Sequence, residues 1–158
     1  MAEALYDTDI LIWSEQQADL LARLAAGEDV QDQIDWEHVI DEVESVGLSE
    51  LRDCEFLLSR SLMNLMRLAS MPGDQLADEW RRDTTKWLER VRAELKPYIR
   101  RRIGKVEIER IYARALRRVR DDPRMSRKQL PDDCPFTAED LLEKAEIADL
   151  LAKLGPPA

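Results

Sequence analysis

From Leu24 to Leu51 the chain carries nine carboxylates, Glu28, Asp29, Asp32, Asp35, Glu37, Asp41, Glu42, Glu44 and Glu50, and not one lysine or arginine. Within it, Asp35 to Gly47 reads as a short helix whose like charges recur at i+3 and i+4 and crowd its C-terminal half, where the macrodipole disfavours anions. Such a helix is marginal by itself. A positive group is expected against it, supplied by a basic helix of the same chain, by a partner protein or by a metal ion.

With 158 residues, 44% of them hydrophobic, the chain reads as one domain spanning residues 1–158, long enough to bury roughly 70% of its unfolded surface. Five glycines and seven prolines leave the chain sparsely punctuated, which favours an all-α fold, here an irregular bundle of five to six helices. The net charge of -9 conceals segregation: residues 1–50 hold fourteen acids and Arg23 alone, residues 51–130 twenty-one bases and twelve acids, and residues 131–158 seven acids and two lysines. Acidic ends around a basic middle imply either self-neutralisation on folding or a charged partner. The N-terminus lacks the basic and apolar regions of a signal peptide, and no apolar run approaches a membrane span, so a cytoplasmic protein with no membrane partner is expected. Cys54 and Cys134 form no C-x-x-C arrangement, and Cys54 reads as a small buried hydrophobe.

Apolar periodicity divides the chain. Ile10, Trp13, Leu20, Leu21 and Leu24, with Gln17 as a polar exception, predict a first helix from Thr8 to Ala26, closed by Gly27. Asp35 is placed to cap a second helix ending at Gly47, with Ile34 and Val39 as its hydrophobic staple. Its apolar face is Trp36, Val39, Ile40, Val43 and Val46, and Glu37, Asp41 and Glu44 form the opposite stripe. Ser49 begins a third, Leu-rich and central helix that Met71-Pro-Gly73 stops. A fourth opens at Asp74 and carries Leu76, Trp80, Trp87, Leu88, Val91 and Leu95. A fifth runs from Pro97 to about Arg120 with Gly104 as a bend. Three prolines make residues 121–136 a surface loop, Thr137-Ala-Glu-Asp140 starts a last short helix in the manner of a capping box, and residues 155–158 are expected to fray.

Four ordered pieces carry a resemblance: Tyr6-Asp-Thr-Asp9 with Trp13, Ile40-Asp-Glu-Val-Glu-Ser-Val-Gly-Leu-Ser-Glu50, the Leu-rich stretch around Leu62 to Leu68, and Leu130-Pro-Asp-Asp-Cys-Pro-Phe-Thr137. Together they resemble the bacterial domain-of-unknown-function family number 29. The resemblance implies an all-helical cytoplasmic domain and no assigned activity. Where family members carry His-Leu-Leu-Lys in the central helix, this chain reads Asn64-Leu-Met-Arg67.

Three constellations bear on chemistry. Asp35, His38 and Glu42 lie on one strip of the second helix, in a spacing like half of a carboxylate-rich metal site in a helical bundle, and are the candidates for a divalent metal. His38 is the lone histidine, so its ordinary reading is a solvated, acid-flanked imidazole, and no other cofactor is predicted. Arg110, Arg114, Arg117 and Arg118 share one helical face within a segment, Lys96 to Lys128, of thirteen bases and four acids. That face could follow phosphates, or lie over apolar surface and pair with the chain's own acids. Neither a nucleophile elbow nor a Gly-rich phosphate loop is present, no catalytic residue is assigned, and the reading leans away from an enzyme. The chain is therefore expected to be a protein-interaction or regulatory module, binding a protein partner or itself as a homo-oligomer. The alternatives are a nucleic-acid-associated regulator and a metal-binding protein.

Tyr6 and Trp13 are expected to clasp the N-terminus. If they do, Trp13→Ala should destabilise the protein by about 3 kcal/mol or more in chemical denaturation, and a near-neutral change would remove the clasp.

Overall fold

The computed structural model describes residues 2–125 and 129–155, apart from the side chains of residues 2–4 and 144; the expected frayed end at 156–158, and Arg127 and Lys128 of the basic segment, lie outside them. Among the described residues the regular structure is helical throughout. The first predicted helix, Thr8 to Ala26, forms as α2 (Ile10–Ala25), and a further helix that the periodicity does not announce, α1 (Ala2–Thr8), precedes it. Asp9 separates them because its backbone is extended while its carboxylate accepts the Ile12 N–H at 3.1 Å, capping α2. Gly27 closes α2 as expected. With φ at +90°, it lets Gly27 N–H reach Leu24 O at 2.9 Å and Glu28 N–H reach Arg23 O at 3.1 Å, a Schellman arrangement that a side chain would strain.

Gly47 ends nothing, and Ser49 caps nothing. A single helix, α3 (Trp36–Ser70), runs through both. The row Trp36, Ile40, Val43 continues at the same i+3 and i+4 steps through Gly47 to Leu51, Cys54 and Leu58, so the pattern gives the chain no reason to turn. One interior glycine costs about 1 kcal/mol, which the flanking turns outweigh. Asp35 does precede α3, and its carbonyl accepts Val39 N–H at 2.9 Å.

Helix α4 (Ala77–Glu94) comes next, then α5 (Pro97–Arg102) and α6 (Lys105–Arg120), which the sequence reads as one helix with a bend. Gly104 is the break. Its N–H donates to Glu107 Oε2 at 3.0 Å, half of a capping box that starts α6 afresh. Within the proline segment a 3-10 turn spans Pro123–Met125, and two side chains of α6 hold the backbone at residues 130 and 131: Tyr112 donates to Pro131 O at 2.6 Å and Arg120 to Leu130 O at 3.2 Å. The reciprocal Thr137 and Asp140 bonds form at 2.8 and 3.2 Å. They open a π-helical turn (Asp140–Lys144), which is interrupted at Ala145 before α7 (Ile147–Lys153) begins. Arg92 explains the interruption. Its guanidinium donates to the carbonyls of Asp140, Leu141 and Ala145 at 3.1, 3.2 and 3.0 Å, supplying a donor at the end of a helix that stops early and a second one at Asp140, whose carbonyl also accepts the Ala145 N–H at 3.3 Å.

The chain divides into two compact units, Met1–Ser49 and Glu50–Ala158, where the sequence reads as one domain; the boundary falls inside α3. In the second unit Leu58, Leu62, Leu65 and Met66 of α3 are fully buried against Leu88 of α4, Ile108 and Ile111 of α6, and Leu141, Leu142, Leu150 and Leu154, so the Leu-rich helix is central as expected. Cys54 is buried at the edge of this core, and both cysteines are free. Some of the expected apolar contacts do not form: Ile10, Trp36, Ile40, Val43, Val46 and Leu76 are exposed, while the polar exception, Gln17, is buried.

Arg92→Met keeps the aliphatic stem and removes the guanidinium from three carbonyls, of which Asp140's keeps the Ala145 N–H as donor. It is expected to lower stability by about 2 to 3 kcal/mol in urea denaturation, and a loss below about half a kcal/mol would show that water replaces the guanidinium.

Candidate interaction surfaces

In the first unit, side chains of three helices meet at the start of α3. The Asp35 carboxylate accepts Trp13 Nε1–H at 3.1 Å and lies 2.9 Å from His38 Nδ1, while its backbone N–H donates to Gln17 Oε1 at 2.8 Å. The Tyr6 ring stacks on His38 with centroids 3.9 Å apart and meets Trp13 edge-on at 4.9 Å, and its hydroxyl donates to Glu42 Oε1 at 2.7 Å. Gln17 is buried because an acceptor is needed there for the capping residue's N–H. Burial raises the Asp35 pKa, but the bonds from His38, Trp13 and the His38 backbone outweigh it and hold the carboxyl below its ordinary range. The same contact with Asp35, aided by the charges of Glu37 and Asp7 against a small desolvation penalty, raises the His38 pKa. The arrangement is a clasp of α1 and α2 on α3. It brings Asp35 and His38 together, but ties Glu42 to a phenol, and among the described residues no group of three or more His, Cys, Asp or Glu is placed to hold a metal ion.

Outside the clasp, α3 shows two further faces in this unit. Trp36, Ile40, Val43 and Val46 are 44%, 52%, 70% and 71% exposed, where the sequence reading buries them. Beside them Glu37, Asp41 and Glu44 form an exposed stripe that makes no ion pair among the described residues. The one base of the unit, Arg23, pairs with Glu28 and Asp19 instead.

In the second unit, the buried side of α6 turns Arg110, Arg114, Arg117 and Arg118 outward. Arg110 pairs with Glu55 at 2.9 Å; Arg114, Arg117 and Arg118 have no ion pair among the described residues. Other bases of this unit pair locally, Arg100 with Glu143 at 3.1 Å and Arg120 with Asp132 at 2.7 Å. A cleft of about 350 Å³ lies between α3, the end of α4 and the start of α5, floored by Cys54, Leu57, Val91 and Ile99 and rimmed by Asp53 and Lys96. Burial pushes the Cys54 thiol up to about 11, so it stays protonated and is no nucleophile at neutral pH. No described helix is long and apolar enough to cross a membrane.

A family model described as Domain of unknown function DUF29 matches residues 5–145. The chain belongs to this family. A crystal structure of an α-helical protein of unknown function from Rhodospirillum rubrum is similar to it at 27% identity and a TM-score of 0.67, covering 96% of this chain and 98% of that one. No curated protein matches. The DUF29 match takes in all the clasp residues and the whole of α3 to α6. In this DUF29 chain Glu37, Asp41, Glu44, Arg110, Arg114, Arg117 and Arg118 are exposed, and Tyr6 and Trp13 meet at the clasp. Gln17 as a clasp residue and the exposure of the seam escape a reading of the sequence, since periodicity reports that a face is apolar without reporting whether anything covers it.

His38 gives the clasp a pH dependence of known sign. The folded state holds the imidazole proton more tightly than the unfolded chain, so the stabilisation is complete below pH about 6.5 and is lost as pH rises through the elevated pKa. Asp35 acts at the acid end, where its contribution disappears as pH falls through its lowered pKa. Melting followed by tryptophan emission should therefore decline as pH rises above about 6.5, and His38→Asn should flatten that decline; an unchanged slope would separate His38 from it.

Proposed function

We propose that this chain is a cytoplasmic protein-interaction module whose docking surface is the exposed seam Trp36, Ile40, Val43 and Val46 with its acidic border Glu37, Asp41 and Glu44, and whose occupant is a basic amphipathic helical segment of a protein. The observation that carries the reading is the coincidence on one helix of an uncovered apolar row and an unpaired acidic stripe. Covering a Val or Ile of this exposure gains roughly 1 to 2 kcal/mol, whereas a rim ion pair gives about 0.2 to 1 kcal/mol. The seam supplies affinity, and the carboxylates select a basic partner and set its register. The clasp suits this role because it fixes the start of α3 from the opposite side.

The defined probe is a synthetic amphipathic helix with a leucine stripe flanked by lysines, titrated into labelled protein. Amide shifts are expected to centre on residues 36–46, and Val43→Asp should weaken binding at least about tenfold with an unchanged melt. Equal binding of the same peptide with glutamates in place of lysines would overturn the reading.

A second reading rests on Arg114, Arg117 and Arg118 of α6, which hold no ion pair among the described residues and form a face that could track a nucleic-acid backbone. It requires binding of duplex or single-stranded probes that falls steeply with salt and is lost in Arg114→Glu/Arg117→Glu. Retention of binding by that variant would exclude it.

A further inference from the structure

We infer that the basic helical segment taken by the acidic face of α3 is helix α6 of a second copy of this chain. The inference rests on the docking reading above and names its occupant. Glu37, Asp41 and Glu44 are spaced i, i+4, i+7 on α3, and Arg110, Arg114 and Arg117 repeat the same spacing on α6. Laid antiparallel, the two helices bring Glu37 opposite Arg117, Asp41 opposite Arg114 and Glu44 opposite Arg110. The apolar rows agree as well. On α3 the seam Trp36, Ile40, Val43 lies to one side of the acids, and on α6 Val106, 71% exposed, and exposed Ala113 lie to the matching side of the arginines. On a helix viewed from its N-terminus both charged stripes follow their apolar neighbours in the same rotational sense, which is the arrangement an antiparallel pair requires.

The charges are available. Arg114 and Arg117 hold no ion pair among the described residues, nor do Glu37, Asp41 and Glu44, and the Arg110 pair with Glu55 is exposed on the arginine side and easily exchanged. In this register Ala113 falls between Ile40 and Val43, and its small side chain leaves room for them to approach the α6 backbone, while Val106 lies beyond Val46. The charge segregation acquires a purpose here: an acidic first fifty residues and a basic middle, in one chain, make every copy complementary to every other.

Sedimentation equilibrium of the full chain, at low salt and again at several hundred millimolar salt, tests the inference. The untouched chain is expected to show at least about twice its monomer mass at low salt and to dissociate roughly tenfold more readily at high salt. Asp41→Lys/Glu44→Lys and Arg114→Glu/Arg117→Glu should each be monomeric with unaltered melts, and mixing the two should restore association, because each then offers the stripe that the other lacks. A monomer at low salt, or a mixture that fails to associate, overturns the inference. If the untouched chain is monomeric yet still binds the lysine-flanked peptide through Val43, self-pairing falls and the docking reading stands; if neither occurs, both fall.

Discussion

An apolar row repeating at i+3 and i+4 along a helix must be covered or must face water, and α3 does both. From Cys54 to Leu65 the row is sealed by α4, α6 and the C-terminal turns, and this is where the core of the second unit is densest. From Trp36 to Val46 the same row is open. A chain with 36% charged residues has ample polar material to place on that face if water were its only neighbour. Four aromatic and branched side chains are exposed on that face at regular spacing, and the proposed docking surface rests on them.

The acidic run raises a second constraint, and it is met by an unexpected kind of group. Nine carboxylates without a base call for a cation against the start of α3, yet most of what Asp35 and Glu42 receive comes from neutral donors: an indole, a phenol and a backbone N–H at the helix N-terminus, with the imidazole as the single titratable donor. Donors of this kind stabilise a carboxylate without an ion pair because its oxygens accept several bonds at once. The glutamates and aspartate on the outer stripe have no such donors. Of the nine carboxylates the clasp holds Asp35 and Glu42, Arg23 pairs with Glu28, and Glu37, Asp41 and Glu44 make no ion pair among the described residues.

The helical class and the charge placement were legible because both follow from local spacing. The boundaries that misled are those decided by a single side chain far away or by backbone details. Gly104 breaks the predicted fifth helix because Glu107 in the next turn caps a new one, which periodicity does not weigh. Gly47 resembles a stop but lies on an unbroken apolar row. The interruption at Ala145 depends on Arg92, 53 positions away in sequence, and no local reading anticipates it. The metal reading of Asp35, His38 and Glu42 followed from a spacing that is real, but spacing does not reveal that Tyr6 reaches Glu42 first.

The balance of forces on the open face decides how such a contact would behave. Apolar cover gains more per residue than surface ion pairs do, so the seam sets how tightly a partner is held. Charge then decides which partner, because an acidic helix brought to the same seam would place like charges within a few ångströms and lose what the apolar contact gains. On the proposed reading, such a surface would bind weakly to any amphipathic helix and selectively to a basic one. Its selectivity is sensitive to salt while its apolar affinity is not, and the two can be separated without touching the core.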